Sequence, residues 1–151
     1  MSINLNTSFL HQHAINLCDS YQRVLKRPLL EPSNNKPLIE SLYNAPFALL
    51  SHGLEKDPIF NFANQAALTL FEYSWDEFMQ LPSRLSAKPV DQDERQRLLN
   101  TVNQQGYIND YSGIRITASG REFLIENAVI WNVIDSNGYY CGQAAAIGLL
   151  D

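Results

Sequence analysis

Cysteine, histidine and positive charge are all scarce in this chain, and each scarcity removes a class of function. Two cysteines, Cys18 and Cys141, stand far apart among 151 residues. That supports neither a disulfide framework nor a thiolate metal site, and it fits a reducing, cytosolic compartment. The net charge of -5 has the wrong sign for a phosphate-backbone partner, which argues against nucleic acid. No apolar run approaches the roughly 20 residues that span a bilayer, so no membrane is expected. The segment Met1 to Ser8 lacks both a basic n-region and an apolar h-region, so the expectation is a soluble, unprocessed, cytoplasmic chain. Of the 3 histidines, His11 and His13 lie two apart on a helical stretch and point in different directions, and His52 sits at a strand end. With no carboxylate or cysteine at ligand spacing, each reads as a surface or turn histidine and no metal is expected. No Gly-x-Ser-x-Gly elbow and no cysteine with a histidine partner appears, so nucleophilic catalysis is not indicated.

What is present is strongly patterned. Gly120 to Ile134 reads as a long central strand on which Phe123, Ile125, Val129, Trp131 and Val133 share a face at period two. Asp110 to Thr117 can pair with it through Ala118-Ser119-Gly120, and Tyr139 to Leu149 through Asp135-Ser136-Asn137-Gly138, where Asn-Gly is a strong hairpin signal. The C-terminal third is therefore expected to be an antiparallel meander. Upstream, Thr7 or Ser8 can cap a helix running to about Lys26, ended by Pro28. Its seam Leu10, Ala14, Leu17, Tyr21 and Val24 wants a partner surface, either the protein's own sheet or the same helix of a second subunit. The proline-rich stretch from Pro28 to Pro37 reads as a connection, which makes 1–36 a helical extension with linker and 37–151 the main domain.

A short helix at Leu38 to Tyr43 begins with Pro37, and Phe47 to Ser51 and Ile59 to Phe62 form a first hairpin. Helical spacing follows over Asn64 to Phe71, and Ser74-Trp75-Asp76-Glu77 is a capping box that opens another short helix. Asp91, Asp93 and Glu94 mark the start of a helix reaching about Gln105, with Leu98, Leu99 and Val102 inward and Gly106 as its stop. The order is α+β, with one antiparallel sheet and its helices inserted between strands two and three.

The run from Ile59 to Ser74, an apolar strand, an Asn, an Ala-rich helix and a Tyr-Ser turn, resembles the PAS pattern. The closer resemblance is to the MEKHLA family, a PAS-like domain found alone in bacteria and at the C-terminus of plant class III homeodomain-leucine zipper transcription factors. It is carried by Pro82-Ser83-Arg84, Gly113-Ile114-Arg115-Ile116, Ser119 to Phe123, Ala128 to Trp131 and Gly142 to Ala145, within a match strongest from Pro58 to Gly148. The resemblance implies a five-stranded antiparallel sheet whose concave face, covered by short helices, holds a small ligand or only a core. PAS domains bind haem, flavin, small acids or nothing, so the cofactor is left unknown. The flavin photoreceptor motif places a reactive Cys before Arg, where this chain has Ser83-Arg84-Leu85, so adduct chemistry is not implied. The Gln of that branch's last strand corresponds to Gln143 only one residue out of register, which would turn it to the opposite face.

Four residues stand out as candidate ligand contacts: Asn64, Arg84, Trp131 and Gln143. Asn64 could bond a ligand or tie strand to helix through backbone groups. Arg84 could fork onto a carboxylate or phosphate, or pair with an acid such as Glu77. Trp131 could wall a pocket or fill the core, and Gln143 could orient a ligand or satisfy a loop carbonyl. The expected function is a stand-alone PAS-like sensory module for a small molecule or a partner protein, a possible homodimer through the N-terminal helix, and no enzyme. The alternatives are a small α+β-cone enzyme with Glu126 as cavity base, or a purely protein-interacting domain.

Overall fold

The computed structural model describes residues 3–31, 33, 35–87 and 92–149. Helix α1 (Ser8–Leu25) starts where the Thr7 hydroxyl accepts from the Leu10 amide, and it ends at Lys26 in the left-handed region. Helix α2 (Leu38–Tyr43) has Pro37 as its N-cap, one place earlier than the sequence suggests. Strands β1 (Ala48–His52) and β2 (Phe60–Ala63) pair antiparallel, each one residue later than expected. Then come α3 (Gln65–Phe71), α4 (Trp75–Phe78) with its Ser74–Glu77 capping box, and a single 3₁₀ turn at Ser83–Ser86. Helix α5 (Gln92–Gln105) follows; the Asp91 start signal lies outside the described residues. Strands β3 (Tyr107–Ile116), β4 (Glu122–Ile134) and β5 (Tyr140–Ile147) complete one sheet of order β2-β1-β5-β4-β3. The long strand β4, expected to be central, is interior, and β5 holds the middle place.

The seam of α1 packs on the protein's own sheet. Leu10, Ala14, Leu17 and Tyr21 are buried in one apolar cluster with Leu49, Phe62, Val129, Trp131 and Val133, and Val24 packs at its margin. Two polar links fix the docking: the Trp131 Nε1–H donates to Leu17 O at 3.3 Å, and Ser20 Oγ both donates to Ile134 O and accepts from Ile134 N. Of the two partner surfaces the seam allows, the sheet is the one that buries Leu10, Ala14, Leu17 and Tyr21 here. His13 is likewise not a surface residue. It is 4% exposed, with Nε2 2.9 Å from Ser51 Oγ and its ring stacked on Phe9.

The face assignment along β4 requires a correction. Pairing runs Ile108 to Ile130, then Tyr111 to Ala128, then Gly113 to Ile125, so β3 carries one extra residue before Tyr111 and β4 one extra before Ala128. Asp110 (φ 58°) and Asn127 (φ 54°) occupy these two bulges in the left-handed region that Asn and Asp tolerate. Because a one-residue slip exchanges the faces, Val129, Trp131 and Val133 face α1, whereas Phe123 and Ile125 face the inserted helices.

Candidate functional site

Between the inner face of the sheet and the inserted helices lies a cavity of about 70 Å³. Ile125, Ile130 and Ala145 form its floor, and Phe71 of α3 and Leu98 of α5 lie against it. Ser83 and Ser86 of the 3₁₀ turn close one side. The turn between β3 and β4 is tied to the end of α3, with Ala118 N donating to Phe71 O at 3.0 Å and Arg121 Nε to Glu72 at 3.0 Å. Hydrogen bonds from Ser119 and Thr117, then the Arg121 guanidinium, hold the Glu72 carboxyl down at about 2.

Gln143 stands at the cavity's polar end. It is 3% exposed, and its Nε2 donates to Asn103 Oδ1 of α5 at 3.2 Å and to Asn132 Oδ1 of β4 at 3.1 Å. Asn132 in turn donates to Val102 O, which fastens α5 to the sheet. The Gln143 Oε1 is buried with no hydrogen-bond partner, an arrangement that native cores seldom hold. The register expectation for this residue is overturned: Gln143 lies on the cavity face.

The other three candidates do not converge on it. Asn64 is fully buried, and its side chain is saturated. Its Oδ1 accepts from Leu49 N and Ala67 N, while its Nδ2 donates to Leu42 O and Phe47 O. It caps α3 and ties α2, β1 and α3 together, which leaves no donor for a ligand. Trp131 fills the opposite layer, edge-on to Tyr21 at 5.0 Å. Arg84 is about half exposed and pairs with Asp57 at 3.1 Å, not with Glu77. Glu126 lies exposed at the β4 bulge, outside the cavity, so it is not a cavity base. Ser83, where the adduct-forming motif has Cys, does line the cavity. Yet pockets for drug-sized ligands run about 300–1,000 Å³, so this cavity as it stands does not admit a flavin or a haem. The residue that sequence reasoning passed over is Arg115, buried on the cavity face; the quoted Gly113-Ile114-Arg115-Ile116 motif was the one signal for it.

Among the described residues no group of three or more His, Cys, Asp or Glu is placed to hold a metal, and no helix is long and apolar enough to cross a membrane. Cys18 and Cys141 are free thiols, and burial, then the Asp19 charge, pushes Cys18 up to about 12.

The sheet order with helices inserted between β2 and β3 defines the PAS fold. The chain is similar to the PAS domain of a protein from Colwellia psychrerythraea, with TM-score 0.60 and 18% identity, covering 74% of this chain and 92% of that one. It is similar also to the light-state dimer of the fungal blue-light photoreceptor Vivid, with TM-score 0.61 and 16% identity, covering 95% of this chain and 96% of that one. Residues 11–149 match the MEKHLA domain, and the chain belongs to the MEKHLA family. Plant relatives include the homeobox-leucine zipper protein HOX29 of Oryza sativa subsp. indica, 28% identical over 81% of this chain. ATHB-9 of Arabidopsis thaliana is 32% identical over 66% of it. The chain spans only 15% and 12% of the length of those two proteins.

Proposed function

We propose that this protein is a PAS-like sensory module that takes a small ligand in the cavity between the sheet and α3 and α5. The observation that carries this reading is the Gln143 carbonyl oxygen, buried at the cavity with nothing to accept from. A ligand donor meets that need, and because Gln143 also holds α5 through Asn103, occupancy is communicated to the covering helix. The segment 1–36, whose α1 packs on the opposite face of the sheet, then serves as the output element of a sensing domain over 37–151.

A homodimer through α1 uses its outer side, where Phe9 is 55% and Ile15 43% exposed. A partner protein is accommodated on the outer face of the β3–β4 hairpin, where the cross-strand neighbours Ile114 and Leu124 are 36% and 53% exposed. The PAS relative Vivid, described as a dimer in its light state, supports the dimer reading by analogy of fold.

The test is native mass spectrometry with an absorption spectrum on protein purified under mild conditions, followed by a thermal-shift screen. A stoichiometric added mass, or a small molecule that raises Tm in the wild type but not in Gln143→Leu, is the expected result. A bare mass together with a Tm that no small molecule moves refutes the ligand-binding reading, and the same spectra report the dimer directly.

A further inference from the structure

The cavity holds a second unmet demand, and this one is a charge. Arg115 is 9% exposed on the cavity face, and among the described residues no carboxylate pairs with it. Its Nη1 donates to Ile114 O at 2.8 Å and its Nη2 to the Tyr111 hydroxyl at 3.1 Å, with the guanidinium 5.4 Å from the centre of the Tyr111 ring. These contacts use two of five donors and supply no negative charge. An arginine does not escape burial by losing its proton, and a buried unpaired ion is among the costlier things a core can contain. An anion entering the cavity would supply the charge that the described residues do not.

The surroundings restrict that anion. Arg115 lies opposite Phe123 near one end of β4, and Gln143 lies opposite Asn132 near the other, with Ile125, Ile130 and Leu98 along the cavity. The Gln143 acceptor repels an anion, so negative charge belongs at the Arg115 end. The walls between are apolar and suit an alkyl body. A planar guanidinium fork matches a carboxylate, and one positive charge balances one negative charge, which disfavours phosphate. The space, about 70 Å³, is well below the roughly 150 Å³ cavity that takes up benzene. We propose that the cavity binds a short-chain hydroxymonocarboxylate, of the size of lactate to 3-hydroxybutyrate, with its carboxylate on the Arg115 guanidinium and its hydroxyl left to donate to the Gln143 oxygen. This rests on the reading of the cavity as a ligand site and names the ligand's class.

The experiment is calorimetry and thermal shift on the full chain. Sodium lactate and 3-hydroxybutyrate are compared with lactamide, 3-hydroxybutyramide and sodium chloride at matched ionic strength. The carboxylates are expected to bind and raise Tm, while the amides and chloride leave it unchanged. Arg115→Met should weaken carboxylate binding about tenfold or more, and Arg115→Lys, which keeps the charge but loses the fork, should fall between. Should Arg115→Met not fold, Arg115→Lys and the comparison of carboxylate with amide still decide. Ala145→Leu, which fills the floor, should abolish binding and so locate it. Amides binding as well as carboxylates, or Arg115→Lys and Arg115→Met binding like wild type, overturns the anion assignment while leaving a neutral-ligand cavity standing. Equal shifts with chloride overturn the carboxylate class. No shift with any probe overturns this inference, whereas the wider screen above decides the ligand-binding reading.

Discussion

His13 makes the docking of α1 onto the sheet sensitive to acid, by an amount that follows from its burial. Its Nε2 meets Ser51 Oγ, and that hydroxyl donates onward to Asn61 Oδ1, so the imidazole is held as the neutral donor. Phe9 stacks on it and Phe62 lies tilted against it, and no described carboxylate pairs with it. Burial pushes its pKa from 6.5 down to about 4. The unfolded chain takes up this proton below pH 6.5 and the folded chain only near pH 4. The contribution is therefore fully present above pH 6.5 and is lost as pH falls through that window. Between pH 7 and pH 5 the loss is about 2 kcal/mol, equivalent to about 4–8 °C in Tm for a chain of this size. Glu72 does not confuse the measurement. Its pKa is lowered from 4.5 to about 2, so its own contribution is present above pH 4.5 and disappears only in stronger acid. Thermal melts at pH 7, 6 and 5 of the wild type and of His13→Gln, which keeps a donor for Ser51 without titrating, isolate the effect. Parallel losses in the two proteins, within about 0.5 kcal/mol, would refute the reasoning.

Three further outcomes follow from single side chains. Asn64→Ala removes the α3 cap and strands the Leu49 amide and two buried carbonyls, so urea denaturation should show a loss of about 4 kcal/mol or more; a loss below about 1 kcal/mol contradicts the structural role. Gly142→Ala should prevent or severely weaken folding, because φ is 142° and a Cβ there would collide with the His52 carbonyl oxygen across the β1–β5 pairing; a normal circular dichroism spectrum with unchanged Tm would contradict it. Glu126→Gln should leave stability within about 0.5 kcal/mol, since the side chain is exposed; loss of a measurable turnover with folding intact would revive the cone-enzyme reading.

Local signals carried the elements well. The capping box at Ser74–Glu77, the Thr7 cap, the Asn-Gly turn and the stop at Gly106 are short-range chemistry, and each element they delimit is present. The site was less legible because it depends on parity and on distant partners. Gln143 could be named but not turned to the right face, since its direction depends on how β5 is registered against β1 and β4. His13 looked like one of two surface histidines. Its burial comes from Ser51 and Asn61, which lie far along the chain. Trp131 and Asn64 could each be read from the sequence as a ligand contact or as a structural residue, and only three-dimensional packing shows the partners each already has.

The two bulges explain why the cavity is built as it is. On an unbroken ladder continuing from Ile108 and Ile130, the residues facing the inserted helices would be Ile114 and Leu124. With Asp110 and Asn127 added, those two apolar side chains turn out to solvent, and Arg115 turns inward opposite Phe123. This exchange of two exposed apolar side chains for a buried guanidinium is accounted for by the proposed carboxylate. Its backbone basis can be tested. Gly accepts a φ near 54° without penalty, whereas a β-branched residue does not. Asn127→Gly should therefore leave stability unchanged or slightly raised, and Asn127→Val should lower it by about 1–2 kcal/mol and weaken any carboxylate shift. Equal stability for the two variants would mean that Asn127 is not held in the left-handed region, and the inversion of β4 would then need another cause.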